Sequence, residues 1–127
     1  MPNKVTYEYA IIRLVPKVER EEFLNIGVIL FSKRKKYLGI QYTIDEQKIA
    51  AFSKEIDTNL LQQYLEAWKL IGAGAPTSGP IGKKEMAFRF RWLAASRSTI
   101  IQTSKIHPGL CEEPSKVLGT IFERYVL

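Results

Sequence analysis

Phe23-Leu24-Asn25-Ile26-Gly27-Val28-Ile29-Leu30-Phe31 is apolar at nearly every position. A run of this length without polar alternation reads as a strand buried on both faces and central in its sheet. At its start, Gly27 permits a bulge or a close backbone approach and Asn25 favours a local turn. The expected purpose of Asn25-Ile26-Gly27 is therefore geometric, with ligand contact as the second option. The charged tip Lys33-Arg34-Lys35-Lys36 separates this run from Tyr37 to Tyr42. So short a polar link between two β-prone runs implies an antiparallel hairpin.

Upstream, Val5 to Val15 is rich in Tyr, Ile and Val, and Thr6, Glu8 and Ala10 alternate with Tyr7, Tyr9 and Ile11 until Pro16 stops the run. This is a third strand, and the three together read as a meander. Downstream the period changes. Thr43 and Glu46 have capping-box spacing for a short helix through Phe52. Asp57 or Thr58 caps a longer helix, in which Leu61, Tyr64, Leu65, Trp68 and Ile71 form an apolar stripe before Gly72. Gly72 to Pro80 is too rich in Gly and Pro to continue either element and reads as a loop.

Residues 84–96 fit a strand through Met86, Phe88, Phe90 and Trp92, or a helix face through Met86, Phe90, Leu93 and Ala94; the Ala-rich ending favours helix. Thr99 to Thr103 reads as a last strand closed by a turn at His107-Pro108-Gly109. Pro114 then opens a helix carrying Val117, Leu118, Ile121, Phe122 and Tyr125. The expected architecture is α+β: one domain over residues 1–127, a mainly antiparallel sheet of three to four strands, and helices over one face. Leu61, Leu65 and Trp68 are expected to be buried together with Ile121 and Phe122.

The 127 residues are 46% hydrophobic and 25% charged, a composition that supports a packed core and excludes disordered and fibrous classes. The longest apolar stretch, Ile26 to Phe31, is far short of the roughly 20 residues of a membrane span, and no apolar signal region follows Met1-Pro2-Asn3-Lys4. A cytoplasmic location without membrane contact is expected. Cys111 is the lone cysteine and His107 the lone histidine, so no disulfide, no structural zinc site and no cofactor are expected. The formal charge is +6 and the isoelectric point near 9.5, which favours anionic partners, although acidic residues are spread among the basic ones.

Arg89, Arg91 and Arg97 with Ser98, Thr99 and Gln102 form the densest group of anion-suited donors, because guanidinium forks match phosphate geometry. The plainer role of these arginines is a solvated helix face or pairing with carboxylates. His107 could act as a base with Cys111 four residues on, yet a histidine before Pro-Gly commonly serves only a turn. Glu8 and Arg13 are charges in an apolar strand, and their odd spacing sends them to opposite faces. Each could mark a site, with an edge-exposed strand as the simpler account. Glu19, Glu21 and Glu22 lack the Asp/Asn-and-Gly pattern of a calcium loop. The Lys33 to Lys36 tip could touch phosphates, but no aromatic residue is interleaved there to stack on bases. Walker, GxGxxG, HExxH and GxSxG motifs are absent.

Tyr7-Glu8-Tyr9-Ala10-Ile11-Ile12-Arg13, Glu22-Phe23-Leu24-Asn25-Ile26-Gly27-Val28, Arg89-Phe90-Arg91-Trp92-Leu93, Arg97-Ser98-Thr99-Ile100-Ile101-Gln102 and His107-Pro108-Gly109-Leu110 span almost the whole chain. In this order they resemble the bacterial family filed as domain of unknown function 3037. The resemblance carries no activity and no catalytic residues. The resemblance implies relatives that are often encoded beside kinases of the HipA type, and with them a protein partner, a HipA-like kinase among the candidates.

Three functions are thus expected in descending order. The first is a noncatalytic protein-binding or accessory module, and the second a nucleic-acid-binding module using a basic surface. The third is an enzyme acting on an anionic small molecule, with His107 or Glu8 moving a proton. The candidate anion or partner site is Arg89, Arg91, Arg97, Ser98, Gln102 and His107, with Glu8, Arg13 and Asn25 as secondary candidates.

Overall fold

A strand that is apolar on both faces needs cover on both sides of its sheet, and the computed structural model, which describes residues 3–17, 20–95 and 100–127, provides it. β1 (Val5–Leu14), β2 (Leu24–Ser32) and β3 (Tyr37–Tyr42) form the expected antiparallel meander, with β2 between the other two. The second edge of β1 is shared by two short antiparallel strands. β4 (Ile101–Thr103) pairs with Ile12 to Leu14, and β5 (His107–Cys111) pairs with Val5 to Tyr9. Among the described residues the sheet therefore has five strands, in an α+β fold.

This placement corrects two expectations. His107-Pro108-Gly109 lies inside β5 and is not a turn; Pro108 is tolerated there because an edge strand has one side on which no ladder donor is required. β1 is an interior strand, so an exposed edge does not explain Glu8 and Arg13. Between β4 and β5 the ladder is held by Ser104. Its N–H donates to Ile11 O at 2.8 Å, and its Oγ accepts the Ile11 N–H at 2.8 Å. One buried residue thus satisfies both backbone groups of Ile11 and keeps the two edge pieces on one rail.

On one face Ala10, Ile12, Leu14, Ile29 and Phe31 pack against Ile49 of α1 (Glu46–Phe52), against Leu61, Leu65, Trp68 and Ile71 of α2 (Thr58–Ala73), and against Phe90 and Leu93 of α4 (Met86–Leu93). α3 (Gly79–Gly82) is a single turn within the Gly- and Pro-rich segment. On the other face Ile11, Val28 and Leu30 pack against Leu118, Ile121 and Phe122 of α5 (Pro114–Tyr125). The helical cover therefore extends to both faces where one was expected, and Ile121 and Phe122 are separated from Trp68 by the sheet. The continuous apolar run of β2 is the reason, because each face carries side chains that must leave water.

Local chemistry sets the element ends. Asp45, not Thr43, caps α1 by accepting the Lys48 N–H at 3.1 Å; an aspartate next to the first turn reaches the free donors better than a residue two positions earlier. Asp57 caps α2 through the N–H groups of Asn59 and Leu60, and Gly74 ends it in the left-handed conformation at φ 67. Residues 86–93 are helical, as the Ala-rich ending favoured. The β1–β2 register slips between Ile12 and Arg13, so Ile26 has no partner opposite and Gly27 lies against β3, where an added Cβ would be 2.8 Å from Gln41 O. The geometric purpose expected of Asn25-Ile26-Gly27 is this bulge.

Candidate functional site

The arginines expected to hold an anion divide between structural partners. Arg89 donates to Lys84 O at 2.7 Å and to Gly72 O at 3.4 Å, so its positive fork closes the carboxyl end of α2 against the segment that leads into α4. Arg91 grips Glu8 with both limbs at 2.9 Å, on the α2 and α4 side of the sheet. Arg97 and Ser98, with Thr99, lie outside the described residues. Gln102 on β4 stands opposite Arg13, and His107 on β5 stands opposite Tyr9.

The last two pairs lie on the other face, because residues directly opposite in an antiparallel ladder project to the same side. β1 therefore presents Tyr7, Tyr9, Ile11 and Arg13 toward the α5 face. α5 lies over β2 and β3. The half of this face built by β1, β4 and β5 is left with the candidate residues Arg13, Gln102 and His107, while Glu8 projects to the opposite side.

At one end of this half-face, Asn25, Arg13 and Gln102 form a rung across β2, β1 and β4. Asn25 Nδ2 donates to Tyr125 O at 3.1 Å, tying the end of α5 to the bulged strand. The Arg13 guanidinium lies 4.0 Å from the centre of the Phe23 ring, and its Nε is buried without a hydrogen-bond partner among the described residues. Farther along β1, the Tyr9 and His107 rings are 5.3 Å apart at 37°, and Tyr7 and Tyr9 are 6.1 Å apart at 34°. The Tyr7 ring lies over Gly109, where an added Cβ would collide with it. Three rings thus form a row, and Arg13 lies on the same face four residues along β1 from Tyr9, beyond Ile11.

Burial pushes the Tyr7 and Tyr9 phenols above their ordinary range, and Arg124 opposes the shift at Tyr9. The Tyr9 hydroxyl therefore remains a neutral, donating group near neutral pH, and Arg124 brings positive charge beside it. Burial also raises the Cys111 thiol, with Lys35 opposing, which is the reverse of what activates a nucleophile. In an extended strand, four residues separate His107 from Cys111 by about 13 Å, so they do not form a nucleophile–base pair.

Among the described residues no group of three His, Cys, Asp or Glu is placed to hold a metal ion. Glu22 is paired with Arg20, and Glu19 lies outside the described residues. A cleft of about 260 Å³ beside these residues is lined by Lys17, Arg20, Phe52, Lys54 and Glu55, and within it Lys17 pairs with Glu55 at 3.8 Å and Arg20 with Glu22.

Tyr7, Tyr9 and Phe23 were not singled out from the sequence. The available signal was the alternation of Tyr7, Tyr9, Ile11 and Arg13, which marks a strand but does not say how far a later helix covers that face.

No helix among the described residues is long and apolar enough to cross a membrane. Comparison with curated proteins finds no match, and comparison with solved structures finds none either. The family described as protein of unknown function (DUF3037) matches residues 9–126, which include Tyr9, His107, the Arg13 rung and both helical layers but not Tyr7. The chain belongs to that family.

Proposed function

We propose that the chain is a nucleic-acid-binding module whose contact surface is the half-face built by β1, β4 and β5. One observation carries this reading: the Tyr7, Tyr9 and His107 row shares one face of the sheet with Arg13, four residues along β1 from Tyr9. Rings and a cation on one face are the combination the Lys33 to Lys36 tip lacks. The formal charge of +6 adds a general attraction for phosphate. Titration with fluorescent DNA and RNA oligonucleotides at low and high salt tests it. The expected result is binding whose logarithm falls linearly with the logarithm of salt concentration. Undetectable binding at low salt overturns the reading.

Partner binding is the second reading, favoured by the same residues, because Tyr and Arg are enriched at the energetic centres of protein interfaces. The family resemblance supports a protein partner such as a HipA-like kinase. The two readings separate by readout: a stoichiometric complex with a purified kinase that survives high salt favours the second. An enzymatic reading gains no support from Glu8 and His107, which project from opposite faces.

A further inference from the structure

We infer that the strand bound on this half-face is single-stranded, with unpaired bases stacked on Tyr9 and His107 and a phosphate held by Arg13. The inference rests on the nucleic-acid reading and makes it specific.

Duplex recognition requires an element that projects into a groove, such as a helix or a two-stranded ribbon. Tyr9 and His107 stand on neighbouring paired strands within the sheet, beside the wall formed by α5. A surface of this kind meets only the phosphates of a duplex, and its rings contact nothing specific. In a single strand the base faces are exposed, and aromatic side chains on an antiparallel sheet are a recurrent platform for them. His107 is exposed, and Tyr9 is half-buried against the α5 cluster, so the platform is rigid at one side and open at the other. The Arg13 guanidinium carbon lies 4.0 Å from the centre of the Phe23 ring, a contact that restrains the side chain before any ligand arrives.

The experiment is an anisotropy titration of the full chain with a labelled single strand of roughly 12 nucleotides, within the usual site range of about 4–16, and with the matching duplex. Tyr9→Leu keeps apolar packing and removes the ring, Tyr9→Phe restores the ring, and His107→Ala removes an exposed ring. Circular dichroism establishes that each variant folds. The expected result is single-strand affinity above duplex affinity, weakened about 5- to 100-fold by Tyr9→Leu or by His107→Ala. Tyr9→Phe stays near wild type, and Arg13→Gln lowers the salt slope by about 0.7. Equal or tighter duplex binding overturns the inference and leaves the nucleic-acid reading standing, as does single-strand binding indifferent to both ring removals. Failure of both ligands at low salt overturns both.

Discussion

Arg91 and Glu8 meet fork to fork across the boundary between α4 and β1, with Nη1 donating to Oε2 and Nη2 to Oε1, each at 2.9 Å. The pair fixes α4 against the strand that carries the ring row on its opposite face. Arg91 and Glu8 retain 54% and 32% side-chain exposure, so water screens much of their attraction. A double-mutant cycle with Arg91→Ala and Glu8→Gln, read by urea unfolding, should give a coupling of about 0.5–1 kcal/mol. Arg91→Ala should leave oligonucleotide affinity unchanged; a large loss would relocate the binding face to α4.

The two apolar layers predict independence across the sheet. Trp68→Ala should cost about 3–5 kcal/mol, the range for deleting a large buried aromatic. Ile12→Val beneath α2 and Ile121→Val in α5 should each cost about 0.5–1.5 kcal/mol. Because they belong to different clusters, their effects should add within about 0.5 kcal/mol. Strong coupling in denaturant midpoints would mean that one core spans both faces. Neutralising Lys33 to Lys36, all exposed, should change stability little.

Two glycines should respond oppositely to alanine. At Gly27 an added Cβ meets Gln41 O at 2.8 Å and Tyr42 Cβ at 3.0 Å, both in a paired strand that cannot retreat. Gly27→Ala should lower stability by about 1–3 kcal/mol. Gly119, inside α5, has no atom within 4 Å of an added Cβ. Gly119→Ala should raise stability by up to about 1 kcal/mol through helix propensity. Thermal unfolding distinguishes these outcomes, and a shift of the same sign in both variants would contradict the local geometry.

Tyr42 supplies a pH signature. Burial, then the hydrogen bond its hydroxyl donates to Glu66, pushes its phenol from 10.0 up to about 12. The folded state holds this proton more tightly than the unfolded state, so the stabilisation is complete below pH 10 and is lost as pH rises toward 12. Alkaline unfolding should therefore be delayed and shallower in Tyr42→Phe. An unchanged profile would show that neither the burial of the Tyr42 phenol nor its contact with Glu66 persists in solution.

The meander and the α2 stripe were legible because hydrophobic period is a local property of the chain, whereas the period of residues 84–96 fitted strand and helix alike and only the Ala-rich ending pointed to the helix. β5 was not, since Pro108 and Gly109 signal a turn and only pairing with Val5 to Tyr9 makes that segment a strand. The position of α5 was legible in part: the unbroken apolarity of β2 announced two buried faces, but not which helix would take which. The candidate residues follow the same division. The opposite facing of Glu8 and Arg13 came from strand parity, whereas the meeting of Arg91 with Glu8, 83 positions apart, and of Tyr9 with His107 depends on topology.

The measurement closest to the central claim is amide chemical-shift mapping of the labelled protein titrated with a short single-stranded oligonucleotide. The account predicts that the largest changes fall on Tyr7, Tyr9, Arg13, Gln102 and His107, while Leu60, Tyr64 and Ala67 on the outer side of α2 stay still. Changes centred on Lys33 to Lys36, or spread evenly over the basic surface, would contradict it.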